Sequence, residues 1–379
     1  MWFAAILLVV ATLGMIALVR GNASIRLLAD VTVHLPESPP RVSIVVAARD
    51  EAAGIEAGLR SLLAQDYPDY EVIVVDDRSC DATPQILAAM TKFDARLTVV
   101  RIDELPPNWL GKNHALERGA ERASGSILVF ADADVILTPD VLSRAVSHAY
   151  AGKRDHLALA PDIAARSLVL SMFMSAFTLF FTLYARPWKA PDPRSRCFIG
   201  IGAFNLVRTE VYRAVGGHAR IALRPDDDIK LGKIIKDAGF SQEMLFGRGL
   251  MSVEWYPSLG AVARGLEKNS LAGVDYNVGA MLAGTLAQLA FFVWPFAAFA
   301  FAGGASWLLY LATCAVLLGG HAVLARRLGS PAWYAFGLPA MAIVFFVILW
   351  RATFITLRDG GINWRGTHYS LAALKSNRV

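Results

Sequence analysis

The chain has 379 residues, of which 55% are hydrophobic and 18% charged, and its mean hydropathy of +0.44 excludes a wholly soluble enzyme. A net charge of +5, with Lys and Arg gathered beside apolar segments, suits anionic lipid headgroups, and no basic-aromatic motif points to nucleic acid. Cys80, Cys197 and Cys314 stand far apart without metal-ligand spacing, so reduced thiols are expected and no disulfide framework is indicated.

Residues 2–19 carry no charge and are long enough to cross a bilayer, and Arg20 and Arg26 follow them closely. The positive-inside rule then predicts a transmembrane anchor over residues 1–20 with its N-terminus outside. A cleaved signal peptide is the alternative, but the segment lacks a basic start and a clear small-residue cleavage site. A Pro-rich linker at 35–40 separates this anchor from a strand–helix alternation. The spacing predicts strands at 42–47, 71–75 and 97–102, with helices at about 52–64 and 83–91 between them. Such alternation implies an α/β fold with a mostly parallel sheet and right-handed crossovers.

The second strand runs into Asp76-Asp77-Arg78-Ser79-Cys80-Asp81-Ala82-Thr83. These acids and hydroxyls can cap the next helix, with Asp81 or Ser79 as cap, or accept hydrogen bonds from a base and ribose at the sheet's carboxyl edge. Residues 126–134 read SILVFADAD, a buried strand with Asp132 and Asp134 at its carboxyl end. Two carboxylates there can share a hard divalent cation with the phosphates of a nucleotide, or simply form a polar turn.

Five segments together resemble the ordered motifs of glycosyltransferase family 2: VSIVVAARDE at 42–51, VIVVDDRSCDAT at 72–83, WLGKNHAL at 109–116, FADAD at 130–134 and DDDIKLGKIIKDAGF at 226–240. The first departs from the family in having Ala47 and Asp50 where Pro and Asn are usual. The resemblance implies a GT-A nucleotide-sugar-binding domain over residues 41–272. It further implies that Glu51 and Asp76 or Asp77 contact the nucleotide, that Lys112 lies near it, and that Asp132 and Asp134 hold ribose, diphosphate and a divalent metal, Mg or Mn. In the last motif, aligned on Leu231 and Gly239, Asp227 takes the acid position and Asp228 that of the family's general base. An acceptor hydroxyl must lose its proton as it attacks the anomeric carbon, which is why such a base is needed. A helix N-terminus would favour ionised Asp228, whereas Asp226 and Asp227 would raise its pKa. A plain capping role for the three acids is the competing reading.

Residues 167–185 form a charge-free run between Arg166 and Arg186, long enough to span a membrane. A crossing there would part Asp134 from Asp228, so an interfacial or re-entrant helix is expected, a buried core helix being the alternative. Gly202 permits close backbone approach to a ligand. His218 is read as a loop residue, since no second His or Cys accompanies it. Trp255, Arg264 and Lys268 follow, and the 264–269 run, RGLEKN, resembles the corresponding segment of enzymes that glycosylate membrane lipids. These three, with Gly202, are candidate acceptor or diphosphate contacts, and a solvated juxtamembrane patch is the alternative. Residues 276–325 contain no Asp, Glu, Lys or Arg and break at Gly303-Gly304, predicting a helical hairpin, and 328–350 a further span. The C-terminal helices are thus expected within 276–357, ahead of a basic tail at 358–379. Three spans put that tail outside while its charges favour inside.

The reading is a multi-pass inner-membrane glycosyltransferase with a cytoplasmic catalytic domain. It resembles ceramide, hopanoid-associated and apocarotenoid glycosyltransferases, which implies inverting transfer of one sugar from a UDP-hexose to a membrane lipid. A processive polysaccharide synthase is disfavoured by the missing Q-x-x-R-W motif. A catalytically silent sugar-binding scaffold would need neither Asp228 nor the metal carboxylates.

Overall fold

Alternate residues of a strand point to opposite faces, and here both faces are apolar. Ile44, Val46, Val72, Val74 and Val129 enter one core with the helices Ile55–Leu63, Thr83–Met90 and Val141–Ala151. Val45, Ile73, Val75, Leu128 and Phe130 enter a second core with Gly111–Arg122 and Asp227–Asp237. A sheet covered on both sides follows from that composition.

The computed structural model describes residues 1–379 and divides into two units. One comprises residues 25–163, 187–254 and 376–379, the other 1–24, 164–186 and 255–375. The first contains strands β1 (Val42–Ala48), β2 (Tyr70–Asp77), β3 (Leu97–Ile102), β4 (Ile127–Asp132), β5 (Ile136–Leu137), β6 (His156–Ala160), β7 (Asp162–Ile163), β8 (Asn205–Arg208), β9 (Gln242–Phe246) and β10 (Met251–Val253). Seven form the main sheet in the order β3-β2-β1-β4-β8-β6-β9, and β5-β10-β7 form a small one. All main pairings are parallel except those of β8 with β4 and β6. The register sets Ala48 beside Asp76 and Ala47 beside Asp132, so the acids expected at the carboxyl edge lie side by side there.

The first helix starts at Ile55 rather than near Ala52. Backbone amides of Asp50, Glu51 and Ala52 instead donate to Ser79 Oγ, Thr83 Oγ1 and Asp81 Oδ2, at 3.0, 2.9 and 3.0 Å. Two loops are thereby tied together, and Asp50 sits at φ 55° in the process. Asp81 also accepts from the Thr83 amide, while Ser79 faces the first loop instead of capping the next helix.

The second unit is built on apolar helices. Four helical segments, Trp2–Ser24, Leu168–Lys189, Gly304–Arg327 and Ala332–Arg358, are long and apolar enough to cross a membrane. Leu168–Ala185 packs through Phe173, Phe177 and Phe180 on Phe345, with ring centroids 5.3–6.3 Å apart. The first leg of the expected hairpin is bent: Val278–Phe292 and Trp294–Phe301 meet at 42°. Pro295 is the cause, because its ring displaces the preceding carbonyl and it has no N–H to give. The last long helix begins at Leu338, ten residues later than the hydropathy predicts, after Pro331 and a 3₁₀ turn at Ala332–Gly337. Residues 361–370 form an antiparallel hairpin that turns at Arg365-Gly366.

Candidate active site

Lys112 lies in the first turn of Gly111–Arg122, a helix that packs on the sheet through Ala115 and Leu116. Its ammonium reaches 2.9 Å from Asp132 Oδ1, at the end of β4, and 3.4 Å from Asp227 Oδ2, at the start of the Asp227–Asp237 helix. Burial opposes its charge, yet Asp132, Asp227 and Asp228 together hold its pKa well above the usual lysine range. These residues line one cleft with Gly202 and His218.

Asp228 lies on the same wall. Its Oδ2 accepts from the Gly202 amide at 2.8 Å and its Oδ1 from the Ile229 amide at 2.8 Å. Burial and the neighbouring Asp227 nevertheless push its carboxyl up to about 7, with Lys112 acting in the opposite direction. Of the two opposed influences expected from the sequence, the raising one prevails: a dipole contributes about 1 kcal/mol or less, and desolvation beside a second carboxylate outweighs it.

Asp226, the third acid, does different work. It is buried and forms a two-pronged pair with buried Arg224, at 2.9 and 3.0 Å, with Lys230 3.9 Å away. Asp226→Asn should lower stability by roughly 3 kcal/mol, since it takes the carboxylate from a buried guanidinium. Chemical denaturation of the variant checks this.

The acids expected on the nucleotide side are held from within. Asp76 is buried, meets Arg101 at 3.0 Å and accepts from the Ser79 amide at 3.2 Å. Asp77, also buried, pairs with Arg78 at 2.7 and 3.1 Å and lies 3.8 Å from Arg49. Glu51 lies on the loop that this second loop clasps, and with Asp132 it acts on Asp134. Burial first, then Asp132 and Glu51, push the Asp134 carboxyl up to about 6. Hard carboxylate oxygens at Asp132 and Asp134 suit a divalent cation, with Lys112 already neutralising part of their charge. Nowhere does the chain gather three His, Cys, Asp or Glu side chains able to hold an ion alone, so the donor's diphosphate oxygens would have to complete the set.

Gly202 is close-packed against protein: a Cβ there would stand 2.8 Å from Asp132 Oδ2. Gly200 is tighter, its Cβ position falling 1.8 Å from the Asp228 carbonyl oxygen. Sequence reading missed Asn113, which is fully buried beside Lys112. Its Nδ2 donates to the carbonyls of Ile221, Ala222 and Arg224 at 2.7, 3.2 and 2.9 Å, fixing the loop that delivers Asp226–Asp228. It missed Asn205, whose Oδ1 meets His156 Nε2 at 3.0 Å and accepts from the Ile201 amide at 3.3 Å, holding the glycine loop. His218, taken for a loop residue, is 1% exposed and walls the cleft. Asn113 stood within a quoted motif, whereas Asn205 and His218 lie outside all five.

Trp255, Arg264 and Lys268 belong to the apolar unit. Trp255 packs on Phe177 and Tyr256, and the Lys268 ammonium lies 4.0 Å from the centroid of the Trp364 ring. Arg264 sits in the last turn of Leu259–Gly265.

A mostly parallel sheet with covered faces and acids gathered at its carboxyl edge makes this a GT-A-like α/β fold. The mannosyltransferase PcManGT from Pyrobaculum calidifontis, solved with GDP-Man and Mn2+, shares that fold at a TM-score of 0.54 and 20% identity, over 94% of this chain and 98% of that one. Residues 43–216 match the family model described as Glycosyl transferase family 2. Beta-monoglucosyldiacylglycerol synthase from Trichormus variabilis is 39% identical over 111 residues, 29% of this chain and 23% of that protein. 4,4'-Diaponeurosporenoate glycosyltransferase from Staphylococcus haemolyticus is 26% identical over 223 residues, 58% of each chain. The chain thus spans less than two thirds of the length of these curated relatives.

Proposed function

We propose that this chain is an inverting glycosyltransferase that moves a single sugar from a nucleotide diphosphate sugar, a UDP-hexose, to a hydroxyl or carboxylate of a membrane lipid. The observation that carries this reading is the cleft in which Lys112 stands among Asp132, Asp227 and Asp228, with the Asp228 carboxyl poised near neutrality. Asp228 takes the acceptor proton as the acceptor oxygen bonds to the anomeric carbon from the face opposite the leaving group. The bond from that carbon to the diphosphate oxygen breaks, and Lys112 meets the charge left on the diphosphate. A divalent cation at Asp132 and Asp134 would, when bound, neutralise further diphosphate charge. Asp76, Asp77 and Glu51 belong to the nucleotide side. Arg264 and Lys268 are assigned to the acceptor's headgroup.

Two relatives whose names specify a diacylglycerol and a diaponeurosporenoate product or substrate support a lipid acceptor. So do the four long apolar helices, which we assign to a multi-pass membrane protein with its catalytic domain in the cytoplasm. Membranes containing the protein, incubated with labelled nucleotide sugars and extracted for lipid, should yield a new glycolipid band. A water-soluble polymer as the labelled product would instead support a polysaccharide synthase.

Asp134→Asn should abolish transfer, because a neutral amide is a far weaker ligand for a hard cation. Its folded pKa lies above the ordinary carboxylate value, so its ionised form costs stability as pH rises through about 6. The variant's Tm at neutral pH should therefore equal or exceed the parent's, separating lost chemistry from lost fold. Full activity of the parent in excess chelator would refute the metal assignment.

A further inference from the structure

The mechanism leaves His218 unused, although it walls the same cleft. Its ring packs edge-on against Phe130, with centroids 4.7 Å apart, and Nδ1 lies 2.8 Å from the Tyr212 hydroxyl. Around that hydroxyl the protons can be counted. Glu117 Oε2 accepts from the amides of His218 and Ala219, at 2.8 and 3.2 Å, and lies 2.7 Å from Tyr212 Oη. A carboxylate has no proton to give, so the single Tyr212 proton points to Glu117. The Tyr212 oxygen, which also accepts from the His218 amide at 3.0 Å, then faces His218 Nδ1 with a lone pair, and Nδ1 must carry the hydrogen. Burial and the Lys112 ammonium push the imidazole down to about 3, so the ring is neutral and Nε2 is bare. With Nδ1 engaged, Nε2 is the ring nitrogen left to meet a ligand in the cleft.

An acceptor nitrogen selects its ligand by chemistry. A diphosphate at neutral pH offers only acceptors, and the lipid hydroxyl gives its proton to Asp228. With the base N–H and ribose hydroxyls taken by the nucleotide-side acids, the donor group left in the cleft is a hydroxyl of the sugar being transferred. We propose that His218 Nε2 accepts a hydrogen bond from one sugar hydroxyl of the donor, making His218 a specificity-determining residue held in one tautomer by Tyr212 and Glu117. This rests on the glycosyltransferase reading above and adds to it the group that reads the sugar.

The test uses the full-length protein in detergent. Kd and turnover are measured for UDP, for GDP, for the UDP- and GDP-hexoses, and for singly deoxygenated analogues of whichever hexose is transferred. In the parent, one deoxy analogue should be worse than its intact donor by about 10- to 100-fold, as when a built hydrogen-bonding site loses its partner. His218→Phe, which keeps a ring against Phe130, should lose that discrimination and bind the intact donor as weakly as the analogue, with affinity for the free nucleotide unchanged. Tyr212→Phe, a smaller change that frees the tautomer, should narrow the same ratio in part, so the inference stays testable should the His218 variant fold poorly. Unaltered discrimination at every hydroxyl in both variants would overturn the role of His218 while leaving glycosyl transfer standing. A parent that binds no nucleotide sugar at all would overturn both.

Discussion

Asp228→Asn is expected to lower kcat by about 10²–10⁴-fold while leaving donor affinity unchanged, the loss typical of removing a general base. The substitution is nearly isosteric, and the amide oxygen can still accept from the Gly202 backbone N–H that now holds Oδ2 at 2.8 Å. What it cannot do is take a proton. In the parent, a carboxyl pushed up to about 7 by burial and by Asp227 is the active form only once deprotonated, so kcat should rise with pH through that region and level off above it. Asp227→Asn removes one like charge and should move this rising limb to lower pH. It also removes a partner of Lys112, found 3.4 Å away, so some loss on the donor side should accompany the shift. If Asp227→Asn is dead while Asp228→Asn turns over near the parent rate, the two roles are exchanged.

The sheet was legible because its strands obey a period of two with β-branched residues on both faces, and the carboxyl-edge acids were legible because they end those strands. What escaped was decided by contacts between distant segments. No local pattern tells that Asp226 faces Arg224 while Asp228, two residues on, faces the glycine loop, since adjacent acids at a helix start look alike. The same holds for the helix expected near Ala52, whose first turn gives way because Ser79, Asp81 and Thr83 take its amides. Asn113 is read as one polar residue in a motif until the loop at 221–224 folds over it. In the apolar unit the hydropathy located the helices but could not weigh Pro295 and Pro331, which set a bend and a late start.

Gly200→Ala should cost about 10²-fold in kcat, although residue 200 need touch neither substrate. Its Cβ would fall 1.8 Å from the carbonyl oxygen of Asp228 and 3.1 Å from Ile229 Cα. Those are backbone atoms, with no flexible side-chain end to swing aside, so the loop and the helix start must separate by an ångström or more. The Gly202 amide that bonds Asp228 lies on the same loop, and Asn205 holds that loop through the Ile201 amide, so the strain falls on the base. Misplacement by about 1 Å is enough for a 10²-fold loss in a reaction that depends on alignment. Overpacking of this kind costs roughly 1–3 kcal/mol of stability, which a Tm measurement on the same sample would register. Free nucleotide affinity should stay close to the parent's, because Asp76 and Asp77 sit on β2, away from the displaced loop. A variant with parental kcat and lowered Tm would mean that the helix carrying Asp228 can shift without consequence, and the assignment of the base to that helix would fall with it.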